Sequence, residues 1–220
     1  VGTGAGANLT LVADAAKLLN SRHVTLVCQE IETFAPDNSV ERLPPMWFAL
    51  MSACIQASTF VATPLTRKRP NVIAAYTDST IKPDLEAEDL LTKGICFLTK
   101  DRLGLRYERS ITTYMTDDNP VWSETSANES VNTSIRDLRA RLMILIGDAA
   151  KATTATKIKS LAITRLRGQV ASGIIKAFNE GGVTVDDLGD TFRVNYEVAA
   201  VEPVNFILIN TTVVRIATSA

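Results

Sequence analysis

Apolar and polar residues alternate near the end of the chain. Phe192, Val194, Tyr196 and Val198 fall on one side of the period, and Arg193, Asn195 and Glu197 on the other. That spacing predicts a half-buried strand. Pro203 then interrupts the ladder, because proline has no N–H to donate. A second run follows from Phe206 to Val214, in which Phe206, Ile207, Leu208 and Ile209 make both faces apolar before Val213 and Val214. An apolar strand of this kind must be covered or it will pair with another chain. Self-association is therefore the leading expectation.

The first part of the chain has an α/β rhythm. Leu9, Val12, Ala16 and Leu19 form a helical stripe over Leu9–Asn20. Val24–Val27 reads as a buried strand of a parallel sheet. Residues 33–43 read as a polar loop, and Pro44-Pro45 opens a helix through Met46–Phe60. Val72–Ala75 is a further short strand. The second part reads as α+β. A short helix over Leu85–Thr92 ends at Gly94. Ile95–Thr99 and Leu105–Ile111 flank the turn Asp101-Arg102-Leu103-Gly104. Asp117–Trp122 is expected as a loop. Two long helices follow: Ser130–Gly147, with Ile135, Leu138, Leu142 and Leu145 or Ile146 as its core stripe, and Thr156–Asn179, ended by Gly181-Gly182. The expected fold class is thus α/β plus α+β, with one small mixed sheet and two long helices in the second half. The division falls at residues 1–84 and 85–220.

Composition changes little in this picture. The chain has 220 residues, enough for one large domain or two small ones, and a net charge of −1 that argues against a dedicated nucleic-acid binder. It starts with Val inside a Gly-rich stretch and reads as a fragment whose N-terminal part is missing. No charged segment followed by an apolar core is seen there. No apolar run approaches the roughly 20 residues of a membrane span. Cys28, Cys54 and Cys96 are odd in number and widely spaced, which predicts three buried thiols in a reducing compartment.

Candidate chemistry is sparse. Gly2-Thr3-Gly4-Ala5-Gly6 resembles a dinucleotide loop but lacks the preceding strand that such a loop needs. The single histidine, His23, and Cys28 fall on opposite faces of a strand, so they cannot form a catalytic dyad. The acidic pairs Glu86/Glu88/Asp89, Asp117/Asp118 and Asp186/Asp187 sit on a helix surface or in polar loops. No catalytic, metal or cofactor set emerges. One electrostatic feature stands out: residues 149–179 contain no acid but carry Lys151, Lys157, Lys159, Arg165, Arg167 and Lys176. This reads either as a solvated helix face or as a contact with an acidic partner surface. Nucleic acid is not expected, since no aromatic residue interleaves with these bases before Phe178. A nucleotide-binding α/β enzyme domain and a nucleic-acid-binding assembly protein are the alternatives.

Several segments in order resemble the contractile tail sheath proteins of phages and phage-tail-like injection particles. They are Pro64-Leu65-Thr66-Arg67-Lys68, the stretch Glu86–Gly104, Tyr107–Tyr114, the helix at Ser130–Gly147, and Tyr196–Ile209. The resemblance implies a structural subunit without catalysis. Residues 1–84 would be the end of a subtilisin-like α/β domain, and residues 85–220 the C-terminal sheath domain. Such subunits form stacked six-fold rings around a tail tube, link through terminal strands, and contract. The implied partners are copies of itself, the tube protein, and baseplate and tail terminator proteins, in a virion assembled in the host cytoplasm. On this resemblance Phe206–Ile209, Val213 and Val214 would link subunits; Val201, Glu202 and Pro203 are the candidate hinge, and Lys151, Lys157, Lys159, Arg165 and Arg167, which match no family motif, are the candidate tube contact.

Overall fold

The computed structural model describes residues 9–77, 85–117, 119–147, 149, 151 and 153–204. The α/β part begins with helix α1 (Leu9–Leu19), which buries Val12 and Ala16 as its stripe predicts. Leu19 is exposed instead, since the chain turns at Asn20 with φ 31°. Strand β1 is only Leu26–Val27. It runs parallel to β5 (Ile95–Cys96), with Leu26 opposite Ile95 and Val27 opposite Cys96. Its two-sided apolar character has a direct cause: Leu26 and Ile95 enter a cluster with Val12, Ala16, Leu90 and Phe97, while Val27 and Cys96 face another with Phe48, Leu65 and Tyr107. Residues from both sides of position 84 share each of these clusters.

The polar loop expected over residues 33–43 is instead a hairpin. Strand β2 (Glu30–Phe34) pairs antiparallel with β3 (Val40–Leu43), and β4 (Ala74–Tyr76) completes the sheet in the order β3-β2-β4. Polar residues hide this sheet because only Ile31 is fully buried on β2. An Asp37 turn, with Oδ1 accepting from the Ser39 N–H at 2.9 Å, and Asn38 at φ 64° close it.

Helix α2 (Pro45–Ser58) starts at the proline pair as expected. It carries Phe48, whose ring stacks on Tyr107 at 5.7 Å between centroids. The Tyr107 hydroxyl donates to Ser52 Oγ at 2.7 Å, and Ser52 Oγ donates to the Phe48 carbonyl at 2.8 Å. Burial pushes the Tyr107 hydroxyl well above its ordinary pKa. Gln29 does the work of a strand residue with its side chain. Its Nε2 donates to Leu98 O at 2.9 Å and its Oε1 accepts from Leu98 N at 2.5 Å.

Helix α3 (Ala87–Thr92) stops at Gly94, φ 71°, where a Cβ would meet Thr113 Cα at 3.0 Å. Strands β6 (Leu98–Asp101) and β7 (Gly104–Tyr107) form a hairpin at the predicted turn, but the strand expected over Ile95–Thr99 is divided, its start being β5, and β7 stops at Tyr107, short of the expected Ile111. Residues expected as a loop before the long helices contain one turn of helix, α4 (Pro120–Ser123).

Helix α5 (Thr125–Leu142) begins five residues before the predicted Ser130 and ends in a 3₁₀ turn over Met143–Leu145. Its root is tied to the α/β part. Thr125 N–H donates to Ser110 O at 3.1 Å, Thr112 N–H donates to Ser123 O at 2.8 Å, and Arg109 Nε donates to the buried Glu124 Oε1 at 3.0 Å. The expected core stripe is partly wrong. Leu138 is buried, but Ile135 and Ile146 are exposed, and the buried face is Ala127, Ser130, Ser134 and Leu138. Small side chains let helix α6 (Thr154–Ala171) come close there.

Helix α6 ends at Ala171, with Gly173 at φ 74° just beyond it, and not at Gly181-Gly182. The Ile174 N–H donates back to Gln169 O at 2.9 Å, so the helix is closed ten residues before the Gly pair. Phe178, expected on the helix, therefore lies on strand β8 (Ala177–Phe178). Strands β9 (Thr184–Asp187), β10 (Phe192–Asn195) and β11 (Val198–Ala199) follow. β9 pairs with β10 and β8 with β11, all antiparallel. Together they make one ribbon interrupted at residues 179–183, not a mixed sheet.

Replacing Phe48 by Ala empties the space between α2 and Tyr107. The expected loss is about 3–5 kcal/mol of stability, measured by urea unfolding. A loss under about 1 kcal/mol would show that this core does not carry the α/β part.

Candidate inter-subunit surface

The ribbon's first face is built as the alternation predicts. Phe192, Val194 and Tyr196 are half-buried against the helices, and Arg193, Asn195 and Glu197 are exposed. Beneath them, α5 and α6 run antiparallel, because Ser134 meets Gln169 while Asp137 meets Arg165. A polar clamp fixes their register. Buried Gln169 donates through Nε2 to Ser134 O at 3.2 Å and to Asp137 Oδ2 at 2.6 Å, and its Oε1 accepts from Ser134 Oγ at 2.6 Å. Arg165 Nε donates to Asp137 Oδ2 at 2.6 Å, and its Nη2 bonds Oδ1. The guanidinium, and secondarily Gln169, hold the Asp137 carboxyl below the usual carboxylate range against the opposing effect of burial.

With that register set, Leu138, Ala162, Leu166, Ile175 and Val183 form the core under the ribbon. The core does not extend to the far end of α5. There the helices and β10 diverge around an apolar groove of about 570 Å³, with Leu138, Leu142 and Ile158 as its floor and Phe192, Val194 and Tyr196 as one wall. Its rim leaves Ile135 49%, Met143 57% and Ile146 78% exposed. Beside it, β10 pairs on one side only: the ribbon order is β10-β9, with no further strand next to β10 among the described residues. An open strand edge above an apolar groove is a surface suited to an added strand. The sequence signal for the groove was the uninterrupted run Leu142-Met143-Ile144-Leu145-Ile146, which is apolar all round where a surface helix carries an apolar stripe.

The chain leaves this unit elsewhere. Ala200 is buried with Ala127 and Val131, beside Val121 and Trp122, at the root of α5. Val201, Glu202 and Pro203, the expected hinge, follow as irregular chain, and Val204 is exposed. The expected linking strand, with Phe206, Ile207, Leu208, Ile209, Val213 and Val214, lies outside the described residues, as does the Gly-rich start. The basic run is partly spoken for within the chain. Arg165 is held by Asp137, and Arg167 by Glu180 at 3.1 and 2.6 Å. Lys151 and Lys157 are exposed and Lys159 is half-buried.

Catalytic arrangements find no support in the geometry. His23 is exposed in a turn before β1, and its Nε2 accepts from Arg22 Nε at 3.2 Å. It shares a polar cavity of about 310 Å³ with Cys96. Burial pushes the Cys96 thiol up to about 12 and that of Cys28 to about 11, the reverse of what a nucleophile needs. Cys54, expected to be buried, is exposed on α2, where no element among the described residues covers it. The acids Asp186 and Asp187 lie on β9, not in a loop. Among the described residues there is no group of three His, Cys, Asp or Glu that could hold a metal ion, and no helix long and apolar enough to cross a membrane.

No family model matches this chain. The chain is 28% identical over 211 residues to the tail sheath protein of Bacillus phage SP01, covering 95% of this chain and 36% of that protein. Its fold matches the contracted sheath complex of an extracellular contractile injection system, with a TM-score of 0.70 at 14% identity, over 96% of this chain and 62% of that one. It also matches the sheath tail protein of Desulfitobacterium hafniense, with a TM-score of 0.68 at 13% identity, over 86% of this chain and 44% of that one. The resemblance read from the sequence is thereby shown: the chain is related to tail sheath proteins and has their fold, and it spans about a third of the phage relative's length.

Acidic residues at Ile135 and Ile146 are expected to abolish self-association and leave folding unchanged. Sedimentation velocity and thermal unfolding of Ile135→Asp/Ile146→Asp check this. Undiminished association would show that the groove is not an interface.

Proposed function

We propose that this chain is the inter-subunit linking portion of a contractile tail sheath subunit. The premise is its relationship to tail sheath proteins; the observation that carries the reading is the open edge of β10 above the apolar groove. In this reading the terminal run of one copy pairs with β10 of the next. Ile207 and Ile209, which share one face of an extended strand, enter the groove, and Phe206 lies on the opposite face. Each added backbone hydrogen bond contributes about 0.5–1.5 kcal/mol, and burial of the apolar side chains adds more.

The exit of the chain favours a neighbour's strand over its own. Ala200 lies beside Ala127, and the groove lies around Leu142, about 22 Å further along α5 at the usual helical rise. Ala200 thus leaves the described unit at a point away from the groove of its own copy. Val201, Glu202 and Pro203 would let the link swing without breaking. The tie between Glu124 and Arg109 would keep the α/β part and α5 moving together.

Within this reading the subunits stack as six-fold rings around a tail tube and contract. The α/β part, taking in residues 85–113 as well as 1–84, belongs to a subtilisin-like domain used as a scaffold and not as an enzyme. Lys151, Lys157 and Lys159 would face the tube, while Arg165 and Arg167 are held by Asp137 and Glu180 within the chain. Baseplate and tail terminator proteins would cap the stack in the virion.

Negative-stain electron microscopy of the purified chain should show rings or tubes, and deletion of residues 204–220 should leave a folded chain that forms neither. A deletion that unfolds the chain outright would place the terminal run in its own core. Intact assembly after deletion would remove it from the link altogether.

A further inference from the structure

Two hairpins in different parts of the fold carry opposite charge. Hairpin β6–β7 is flanked by residues 66–69, which pair along β7: Arg67 N–H donates to Tyr107 O at 2.8 Å, and Tyr107 N–H to Lys68 O at 2.9 Å. This places Arg67, Lys68, Arg69, Lys100, Arg102 and Arg106 in one region. Asp101 binds Arg69 through Nη1 at 2.8 Å and Nη2 at 2.5 Å, and also draws Arg106. Glu108 draws Arg106 as well. These two carboxylates neutralise only part of the cluster. Arg67, Lys100 and Arg102 are exposed with no acidic partner among the described residues. Arg67 holds φ 62°, a conformation seldom taken by arginine, and the two ladder bonds keep it there. At the tip, Leu103 is 81% exposed.

Hairpin β9–β10 has the opposite character. Asp186, Asp187 and Asp190 are all exposed around its tip, and Leu188 between them is 54% exposed. Arg193, opposite Asp186 in the ladder, is the single cation on these strands. Among the described residues Asp187 accepts from the Gly189 N–H and Asp190 from the Thr191 hydroxyl, each at 2.9 Å, and neither forms an ion pair there. The whole chain carries a net charge of −1, so charge here is segregated and not lacking. A surface with balanced, separated patches is suited to a second copy of itself. A polyanion would call for a net surplus of cations.

We propose that the acidic tip of hairpin β9–β10 on one copy docks on the basic face of hairpin β6–β7 on the next, with Leu188 and Leu103 meeting at its centre. Because the two patches differ, one copy can offer its acidic tip to a second copy and its basic face to a third, so the contact can propagate head-to-tail. It rests on the self-assembly reading and adds a contact separate from the groove. The groove supplies apolar burial, and the charged pair selects direction and speeds encounter.

Charge reversal in complementary halves tests this. The variant Lys100→Glu/Arg102→Glu and the variant Asp187→Lys/Asp190→Lys should each fold, by circular dichroism, yet associate at least about tenfold more weakly than the wild-type chain, a change of about 1.4 kcal/mol. An equimolar mixture should recover association, because each variant then meets its complement, and so should one chain carrying all four substitutions. Sedimentation velocity at two salt concentrations reads both effects. Two folded variants that associate like wild type, or a mixture that fails to recover, overturn the pairing and leave the sheath reading standing. Loss of binding to a DNA duplex by the first variant without loss of self-association also overturns it, in favour of a nucleic-acid surface. A wild-type chain that never self-associates overturns both readings.

Discussion

A two-stranded ribbon with one apolar face cannot hold itself in water, and that constraint organises the second half of this molecule. The ribbon β8–β11 persists because α5 and α6 lie under Phe178, Val194, Tyr196 and Val198. Those helices can do so only in one register. Gln169 enforces it, since a buried amide must find partners for both its oxygen and its nitrogen. Ser134 and Asp137 supply them, and Arg165 completes the charge. Away from that register the clamp is left with unpaired polar groups in a dry interface. The same register parts the helices from β10 beyond Leu142, which creates the groove. The clamp and the candidate interface are thus two results of one arrangement.

The α/β part serves this arrangement as a base. Its two clusters lie on opposite faces of the short parallel pair β1–β5, and the Phe48–Ser52–Tyr107 contacts stiffen one of them. The root of α5 is tied into it through Ser110, Thr112 and the Arg109–Glu124 pair. A partly buried ion pair of this kind adds little net stability but fixes a geometry, since removing either partner strands a charge. Fixing the root of α5 fixes where the groove and the edge of β10 point. A repeating assembly needs that constancy from copy to copy.

Much of this was legible from residue patterns where one physical effect dominates. The alternation from Phe192 to Val198 gave the strand and its buried face, and Gly94 and Gly104 marked the ends of α3 and of the β6–β7 turn. Patterns failed where two effects compete. Glu30–Leu43 carries charges on an exposed sheet and so looks like a loop. Ile135 and Ile146 look like core because apolar spacing alone cannot distinguish a side chain covered within the fold from one left on its surface. The buried face of α5 was missed for the opposite reason: Ser130 and Ser134 look polar, yet their hydroxyls bond Ile174 O and Gln169 Oε1 inside the molecule. The groove and the opposed charges of the two hairpins needed the fold, since each joins residues far apart in sequence.

The central claim is that β10 offers its outer edge to another copy. Hydrogen exchange over residues 192–195, followed as protein concentration rises, tests it most directly. The account predicts amides on that edge that exchange rapidly in the dilute chain and become protected as copies associate, while the amides paired with β9 stay protected throughout. Association that leaves the edge amides as exposed as before, or edge amides already protected in the dilute monomer, would contradict it.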